Sequence, residues 1–108
     1  MSTQKKLIRQ KFRDDCFQRD GYKCVTCGYK SSVQKAEQEL DAHHITDRRE
    51  MPNGGYVKEN GISLCEECHK KAEEFHSTGT AVPGFSIEDL YTAIKSSLEK
   101  AKKASLRL

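Results

Sequence analysis

Histidine and cysteine, residue types that often bind transition metals, are concentrated in the middle of this 108-residue chain. His43 and His44 are adjacent. Asn60 follows at a turn, and His69 closes the run CEECH at residues 65–69. Imidazole binds divalent metals and also exchanges protons near neutral pH. These residues could therefore assemble one metal site and one general base.

Two C-x2-C pairs frame this segment, Cys24 with Cys27 and Cys65 with Cys68. Each pair supplies two thiolates from one tight turn, and four thiolates complete the tetrahedral shell that structural zinc prefers. We therefore predict a structural zinc site on these four cysteines. Two alternatives are a pair of disulfides and, for the second pair, covalent haem attachment at a C-x-x-C-H pattern. Both are disfavoured because they normally require export.

The composition indicates one small domain spanning residues 1–108. Only 35% of the residues are hydrophobic and 7% are aromatic, so the core is thin and a metal is one of the few available staples. The sequence shows no signal peptide and no apolar run of the roughly 18 residues that span a membrane. We expect a cytoplasmic chain with no membrane partner, and a packing role for the fifth cysteine, Cys16.

Periodicity and turn residues predict the elements that must position these side chains. A first helix is expected over about Lys5–Gln18, with Ile8, Phe12 and Cys16 on its apolar face and Leu7 beside them. The following elements are a loop or short helix (Ser31–Glu39), a strand (Leu40–Thr46), a turn cluster (Met51–Gly55), a strand (Ile62–Leu64), a helix (Cys65–His76) and a linker (Ser77–Gly84). One last helix should begin at the N-cap Ser86 and pack on the first helix.

The two adjacent histidines cannot simply line one pocket if they lie on a strand, because successive side chains of a strand point to opposite faces. This geometry favours a division of roles. One histidine would bind a metal while the other would face a substrate.

Three stretches of the chain resemble the HNH endonuclease family: Arg19–Gly28 (RDGYKCVTCG), Asp41–Ile45 (DAHHI) and Glu59–His69 (ENGISLCEECH). The resemblance runs from about Arg19 to His76. It implies a small α+β fold with a ββα-metal (His-Me finger) core over residues 19–76. The two-knuckle, four-cysteine zinc site would sit beside this core, with an N-terminal helix and a basic C-terminal helix at 85–108 as flanks.

The resemblance also implies roles for individual residues. His43 and His69 would be ligands of a catalytic cation, and His44 would be the general base. Asn60 would brace the loop between the strands and thereby orient the base. Many family members carry another histidine four residues after His69, where this chain has Glu73. The third ligand therefore stays open between Glu73 and His76.

The function implied is a metal-dependent DNA endonuclease that nicks or cuts double-stranded DNA with a histidine general base. A site of imidazoles without thiolates accepts Mn²⁺, Mg²⁺, Ni²⁺ or Zn²⁺, and we favour Mg²⁺ or Mn²⁺. The alternatives are a non-catalytic, zinc-stabilised module that binds nucleic acid and an adaptor protein with a degenerate site. A homodimer or a larger phage or restriction assembly would also fit.

Positive charge is clustered near both ends of the chain, although the net charge is only +3. Such clusters can lie along a phosphate backbone, or they can be the solvated face of a helix. Beside a nuclease-like motif we favour nucleic acid. The candidate contacts in the C-terminal cluster are Lys100, Lys102 and Lys103.

Overall fold

The computed structural model describes residues 2–108, with side chains from Gln4 onward. Its elements are α1 (Ser2–Arg19), α2 (Ala36–Glu39), β1 (Leu40–His44), three 3₁₀ helices (Arg48–Glu50, Pro52–Gly55 and Lys58–Asn60), β2 (Gly61–Cys65), α3 (Glu66–Thr78), α4 (Ile87–Ala93) and α5 (Leu98–Ser105). The predicted fold class, small α+β, is confirmed.

The long helix α1 forms where the sequence predicts a helix, but its buried face is shorter than expected. Phe12, Cys16 and Phe17 are buried, whereas Leu7 and Ile8 are 65% and 39% exposed. The first turns of α1 therefore extend past the core. Cys16 is fully buried, in keeping with the packing role expected for it.

The sheet consists of two antiparallel strands, β1 and β2. Its register pairs Leu40 with Cys65 and His43 with Ile62. The strands are shifted by one or two residues from their predicted ends, and they carry the core residues Leu40, Ile62 and Leu64. β2 ends at Cys65 and α3 begins at the next residue, Glu66. The second cysteine pair therefore lies at the junction of β2 and α3.

The free edge of β2 is closed by the segment that follows α1. The backbone amide of Ser63 donates to Oδ2 of Asp20 at 2.9 Å, and the amide of Val25 donates to the carbonyl of Ser63 at 2.9 Å. Arg19 forms an ion pair with Asp20 at 2.7 Å and donates to the carbonyl of Gly61 at 2.7 Å. These bonds attach the end of α1 and the first cysteine knuckle to the sheet.

The segment between the strands is a loop of three 3₁₀ turns rather than the single turn cluster predicted at Met51–Gly55. Asn53, Gly54 and Gly55 adopt left-handed conformations, with φ of 52°, 83° and 67°. Gly55 is buried here, and a Cβ atom would stand 2.8 Å from Nδ2 of Asn60. This close approach explains why glycine occupies position 55.

The prediction of one continuous C-terminal helix at 85–108 is wrong. α4 ends at Ala93, Lys95 takes a left-handed conformation with φ of 57°, and α5 begins after its own N-cap, Ser97. Ser86 does cap α4 as expected, accepting a hydrogen bond from the amide of Asp89 at 3.0 Å. The side chain of Ser97 accepts a hydrogen bond from the amide of Lys100 and so favours a new helix start over continuation of α4. The spacing of apolar residues alone does not reveal this break.

The packing predicted for the C-terminal helix also differs from that observed. α5 packs chiefly against the 3₁₀ helices Pro52–Gly55 and Lys58–Asn60 rather than against α1. Its buried residues Ala101 and Ser105 face this loop, and Nδ2 of Asn53 donates to the carbonyl of Ser105 at 2.9 Å. The C-terminal helices therefore support the inter-strand loop.

Within residues 2–108, no helix combines the length and the apolar character needed to cross a bilayer.

The contact between α1 and β2 yields a first prediction, at Gly61. Its backbone is ordinary for any residue, with φ of −126°, but a Cβ atom would stand 2.6 Å from Cε1 of Phe12 and would overlap Sγ of Cys16. Gly61→Ala should therefore lower the free energy of unfolding by about 1–3 kcal/mol, measured by urea denaturation. Adding Cys16→Ala should make the loss smaller than the sum of the single effects. An unchanged stability of Gly61→Ala would contradict this packing.

Candidate active site

The four cysteines predicted to bind zinc converge in one cluster. Their sulfur atoms all lie within 4.8 Å of one another, and Sγ of Cys27 is 3.7 Å from Sγ of Cys65. The first knuckle is closed by a hydrogen bond from the amide of Gly28 to the carbonyl of Cys24 at 2.9 Å. Gly28 has φ of 81°, which glycine tolerates best.

The chemistry of this cluster fits zinc. Sulfur atoms around a tetrahedral ion with bonds of about 2.3 Å are separated by about 3.8 Å, close to the distance observed between Cys27 and Cys65. Burial opposes ionisation of Cys24, but hydrogen bonds from Thr26 and from the knuckle backbone lower the pKa of its thiol to about 6. Burial, together with the neighbouring sulfurs of Cys65 and Cys24, raises the pKa of Cys68 to about 12. A bound cation would remove this conflict between adjacent anionic sulfurs.

A second cluster lies where β1 faces α3. Oε1 of Glu73 is 3.1 Å from Nδ1 of His43 and 3.2 Å from Nε2 of His69. The three residues can each direct one ligand atom to a common point, since these atoms lie within 4.8 Å of one another. His69 and Glu73 are four residues apart on α3, so they share one helix face. This set could hold one divalent cation with room for other ligands.

The two candidates for the third ligand are therefore placed differently. Glu73 belongs to the cluster, whereas His76 lies one further turn along α3, with its ring centroid 5.4 Å from that of His43. His76 still lines the cleft of about 540 Å³ above the cluster. The structure thus brings Glu73, and not His76, into the set with His43 and His69.

Burial makes His43 a neutral imidazole. It is 2% exposed, and burial together with the charges of His69, His76 and His44 lowers its pKa to about 3. A neutral imidazole is the form that binds metals. Its Nε2 atom is buried without a hydrogen-bond partner among the described residues, while Nδ1 faces Glu73.

His44 points away from the ligand cluster, as the alternation of a strand requires. Its ring stacks on Phe12 of α1 at 4.5 Å and meets the edge of Tyr56 at 4.7 Å. Burial, and then the positive charge of Arg48, lowers the pKa of His44 to about 4. Nε2 of His44 is buried and unpartnered in the described chain. The ring nonetheless lines the same cleft as His43, so the ligand cluster and His44 face one shared cleft.

Asn60 is fully buried and holds the inter-strand loop next to the site. Its Oδ1 accepts from the amide of Thr46 at 3.0 Å and from the hydroxyl of Tyr91 at 2.8 Å. Its Nδ2 donates to the carbonyls of Thr46 at 3.1 Å and Gly55 at 3.2 Å. The side chain therefore braces the loop just after His44, and Tyr91 brings α4 to the same point.

Asp41 lies next to the site, although the sequence motifs did not indicate a role for this residue. Its Oδ2 lies 3.0 Å from Nδ1 of His69, so it can accept the proton of that nitrogen and leave Nε2 of His69 free for a metal. Carboxylate–histidine–metal arrangements orient the ligand in this way. Its position in the sequence could have indicated this contact, because Asp41 lies two residues before His43 and therefore on the same face of β1.

The lysines proposed as DNA contacts lie elsewhere. Lys100, Lys102 and Lys103 are exposed on α5, and Lys103 pairs with Glu99 at 3.5 Å. None of them lines the cleft that contains His43 and His44. Their contact with nucleic acid stays a prediction.

Comparison with known families bears on the whole arrangement. Two strands, a long loop and a helix surround the histidine cluster, and residues 24–75 match the family model described as HNH endonuclease. This match assigns the segment 24–75 to the HNH family, which comprises nucleases and nucleic-acid-binding domains, as the motifs predicted. No curated protein and no solved structure matches the chain.

The cysteine cluster predicts a dependence of folding on zinc. Cys24→Ser and Cys68→Ser should each lose the metal and unfold or aggregate, because zinc binding and folding are coupled. Elemental analysis of the wild type should find about one tightly held zinc per chain. Cys16→Ala, which removes the cysteine outside the cluster, should keep the zinc. A soluble, cooperatively folded protein lacking all four cluster cysteines would contradict a structural role.

The contact between Asp41 and His69 predicts an effect on metal affinity. Asp41→Asn should weaken Mn²⁺ binding about 10- to 100-fold by calorimetry, because a neutral amide oxygen holds the proton on Nδ1 of His69 less strongly than a carboxylate and can turn its NH₂ group toward the ring instead. The fold and the zinc content should be retained. Glu74→Gln is the matched control, since it removes one exposed carboxylate from α3 outside the cluster. Equal Mn²⁺ affinities of the two variants would show that Asp41 does not position His69.

Proposed function

We propose that this protein is a metal-dependent DNA endonuclease that hydrolyses phosphodiester bonds with His44 as the general base. The observation that carries the proposal is the meeting of two different groups in one cleft. The cleft joins a cluster of possible cation ligands (His43, His69 and Glu73) to a neutral histidine that is held by aromatic packing outside that cluster. Membership of the HNH domain family supports the same conclusion.

The packing of His44 suits a base that must keep a fixed orientation. Phe12 and Tyr56 fix the plane of its ring, and Asn60 fixes the backbone two residues further on. With Nε2 buried, Nδ1 is the nitrogen that would take a proton from the attacking water. A neutral ring at neutral pH is the form able to accept that proton.

The proposed reaction is hydrolysis that cleaves the same phosphorus–oxygen bond as in the family. Water loses a proton to His44 and its oxygen forms a bond to phosphorus, while the bond from phosphorus to the 3′ oxygen breaks. The products are a 5′-phosphate and a 3′-hydroxyl, which forms when the departing oxygen takes up a proton. A divalent cation bound by His43, His69 and Glu73 would neutralise charge on the phosphate and on the departing oxygen.

The ligand set also bears on which metal is used. Glu73 contributes a hard carboxylate oxygen beside two imidazoles, and no thiolate is present in this cluster. Oxygen-containing sets suit Mg²⁺ and Mn²⁺, and we propose one of these as the functional ion. We further propose double-stranded DNA as the substrate, with a homodimer as one route to cutting both strands.

Plasmid relaxation in Mg²⁺, in Mn²⁺ and after chelation tests the proposal. Nicking will convert supercoiled plasmid to open circles, and double-strand cutting will give linear DNA. His44→Ala should lower the cleavage rate about 10²–10⁴-fold, the usual contribution of a general base, while zinc content, fold and DNA binding are retained.

His43→Ala separates the ligand role from the role of the base. It should lose affinity for the catalytic cation, and excess Mn²⁺ should restore part of its cleavage, which it should not do for His44→Ala. The opposite pattern of rescue would reverse the two roles. If both variants cleave at the wild-type rate, the active site does not include His43 and His44. If the wild type binds DNA but never cleaves it, the protein is a non-catalytic zinc module instead.

A further inference from the structure

A second group of basic side chains lies next to His44, in a cleft that adjoins the ligand cluster. This cleft, of about 510 Å³, is lined by residues of α1, β1 and the inter-strand loop, including Arg9, Arg13, Arg48 and Tyr56. Arg9 and Arg13 come from α1, which lies outside the segment matched by the HNH model. His44 lines this cleft as well as the first one.

Arg9 and Arg48 lie in one cleft with the phenol of Tyr56. Nη1 of Arg48 donates to the hydroxyl of Tyr56 at 2.8 Å. Burial raises the pKa of Tyr56, but the hydrogen bond from Arg48 and the positive charges of Arg48 and Arg9 outweigh it, so the pKa lies below its usual value. The hydroxyl of Tyr56 therefore lies in the field of two guanidinium groups.

These two charges differ from those of the arginines around them. Arg13, Arg19 and Arg49 each lie within 4.0 Å of a carboxylate, at 3.9 Å from Glu37, 2.7 Å from Asp20 and 3.3 Å from Asp47. In the part of the chain that the structure describes, neither Arg9 nor Arg48 forms an ion pair. Two carboxylates also line the cleft, but Glu37 accepts from Gln10 at 2.7 Å and Asp41 lies 3.0 Å from His69. Two guanidinium groups without an ion-pair partner therefore provide a site for an anion, and the guanidinium fork suits phosphate oxygens.

The position of Arg9 and Arg48 next to His44 indicates which kind of anion would bind them. The ring of Tyr56, whose hydroxyl accepts from Arg48, packs at right angles to the ring of His44, with the two ring centroids 4.7 Å apart. A phosphate bound here would lie beside the phosphate that His44 acts on, on the side of α1. Only a polyanion with regularly spaced phosphates would fill both positions at once.

We propose that Arg9, Arg48 and the hydroxyl of Tyr56 form a phosphate subsite that binds the phosphodiester next to the scissile one. The identity of the ligand as DNA rests on the proposed nuclease function. α1 would thereby contribute to substrate binding from outside the HNH domain. Tyr56 would serve in two ways, with its ring packed on His44 and its hydroxyl on the phosphate.

The test measures binding of a labelled DNA duplex by fluorescence anisotropy over a range of salt concentrations, without added Mg²⁺ or Mn²⁺. Arg9→Gln should weaken binding about three- to tenfold and reduce the slope of log K against log salt by about one, as expected for one lost phosphate contact. Lys11→Gln is the matched control on the same helix, because Lys11 pairs with Asp15 at 2.8 Å and points away from Arg9. It should bind within about twofold of the wild type.

Tyr56→Phe and the cleavage kinetics complete the test. Tyr56→Phe keeps the ring against His44 but removes the hydroxyl, so it should weaken DNA binding while retaining the stability of the fold. In cleavage, Arg9→Gln should raise KM and largely keep kcat, in contrast to His44→Ala. If the wild type cleaves DNA and Arg9→Gln binds like Lys11→Gln, the subsite is wrong and the nuclease proposal stands. If the wild type never cleaves and Arg9→Gln still loses affinity and salt slope, the nuclease proposal is wrong and a DNA phosphate site is supported.

Discussion

One buried amide holds the inter-strand loop in place, and the site depends on that loop. All the hydrogen-bonding groups of the Asn60 side chain are engaged, with Thr46, Gly55 and Tyr91 as partners. Leaving such buried partners unsatisfied costs about 1–3 kcal/mol for each group, so the arrangement strongly favours one loop conformation. The loop leaves β1 directly after His44 and returns at β2. Its position therefore fixes where the ring of His44 and the side chain of Arg48 can lie.

From this junction the sheet and α3 carry the remaining groups into position. The register of β1 on β2 aligns His43 with Ile62, and the cysteine cluster fixes the point at which β2 becomes α3. Helical spacing then turns His69 and Glu73 toward His43. The second cysteine pair thus lies at the start of α3, and His69 and Glu73 of the histidine cluster follow on the same helix. A metal in the cysteine cluster would stabilise the framework that orients the histidine cluster.

Local patterns in the sequence predicted much of this arrangement, and the contacts between distant elements account for what they missed. Ligand spacing gave the cysteine cluster, and the motifs gave His43, His44, Asn60 and His69. The break between α4 and α5 was missed because the serine cap at Ser97 overrides an apolar period that continues across it. Asp41 was missed because its contact with His69 arises only when β1 meets α3. The N-terminal basic cluster contains Arg9, but its position beside Tyr56 arises only when α1 meets the loop.

Anomalous diffraction can show whether the chain holds two chemically distinct metal sites. Crystals grown with zinc and Mn²⁺ would be measured at the absorption edge of each metal. We expect a zinc peak among Cys24, Cys27, Cys65 and Cys68, and a manganese peak between His43, His69 and Glu73. A manganese peak coordinated by His76 in place of Glu73, or a histidine cluster that binds no ion at saturating Mn²⁺, would refute the assignment of the second site.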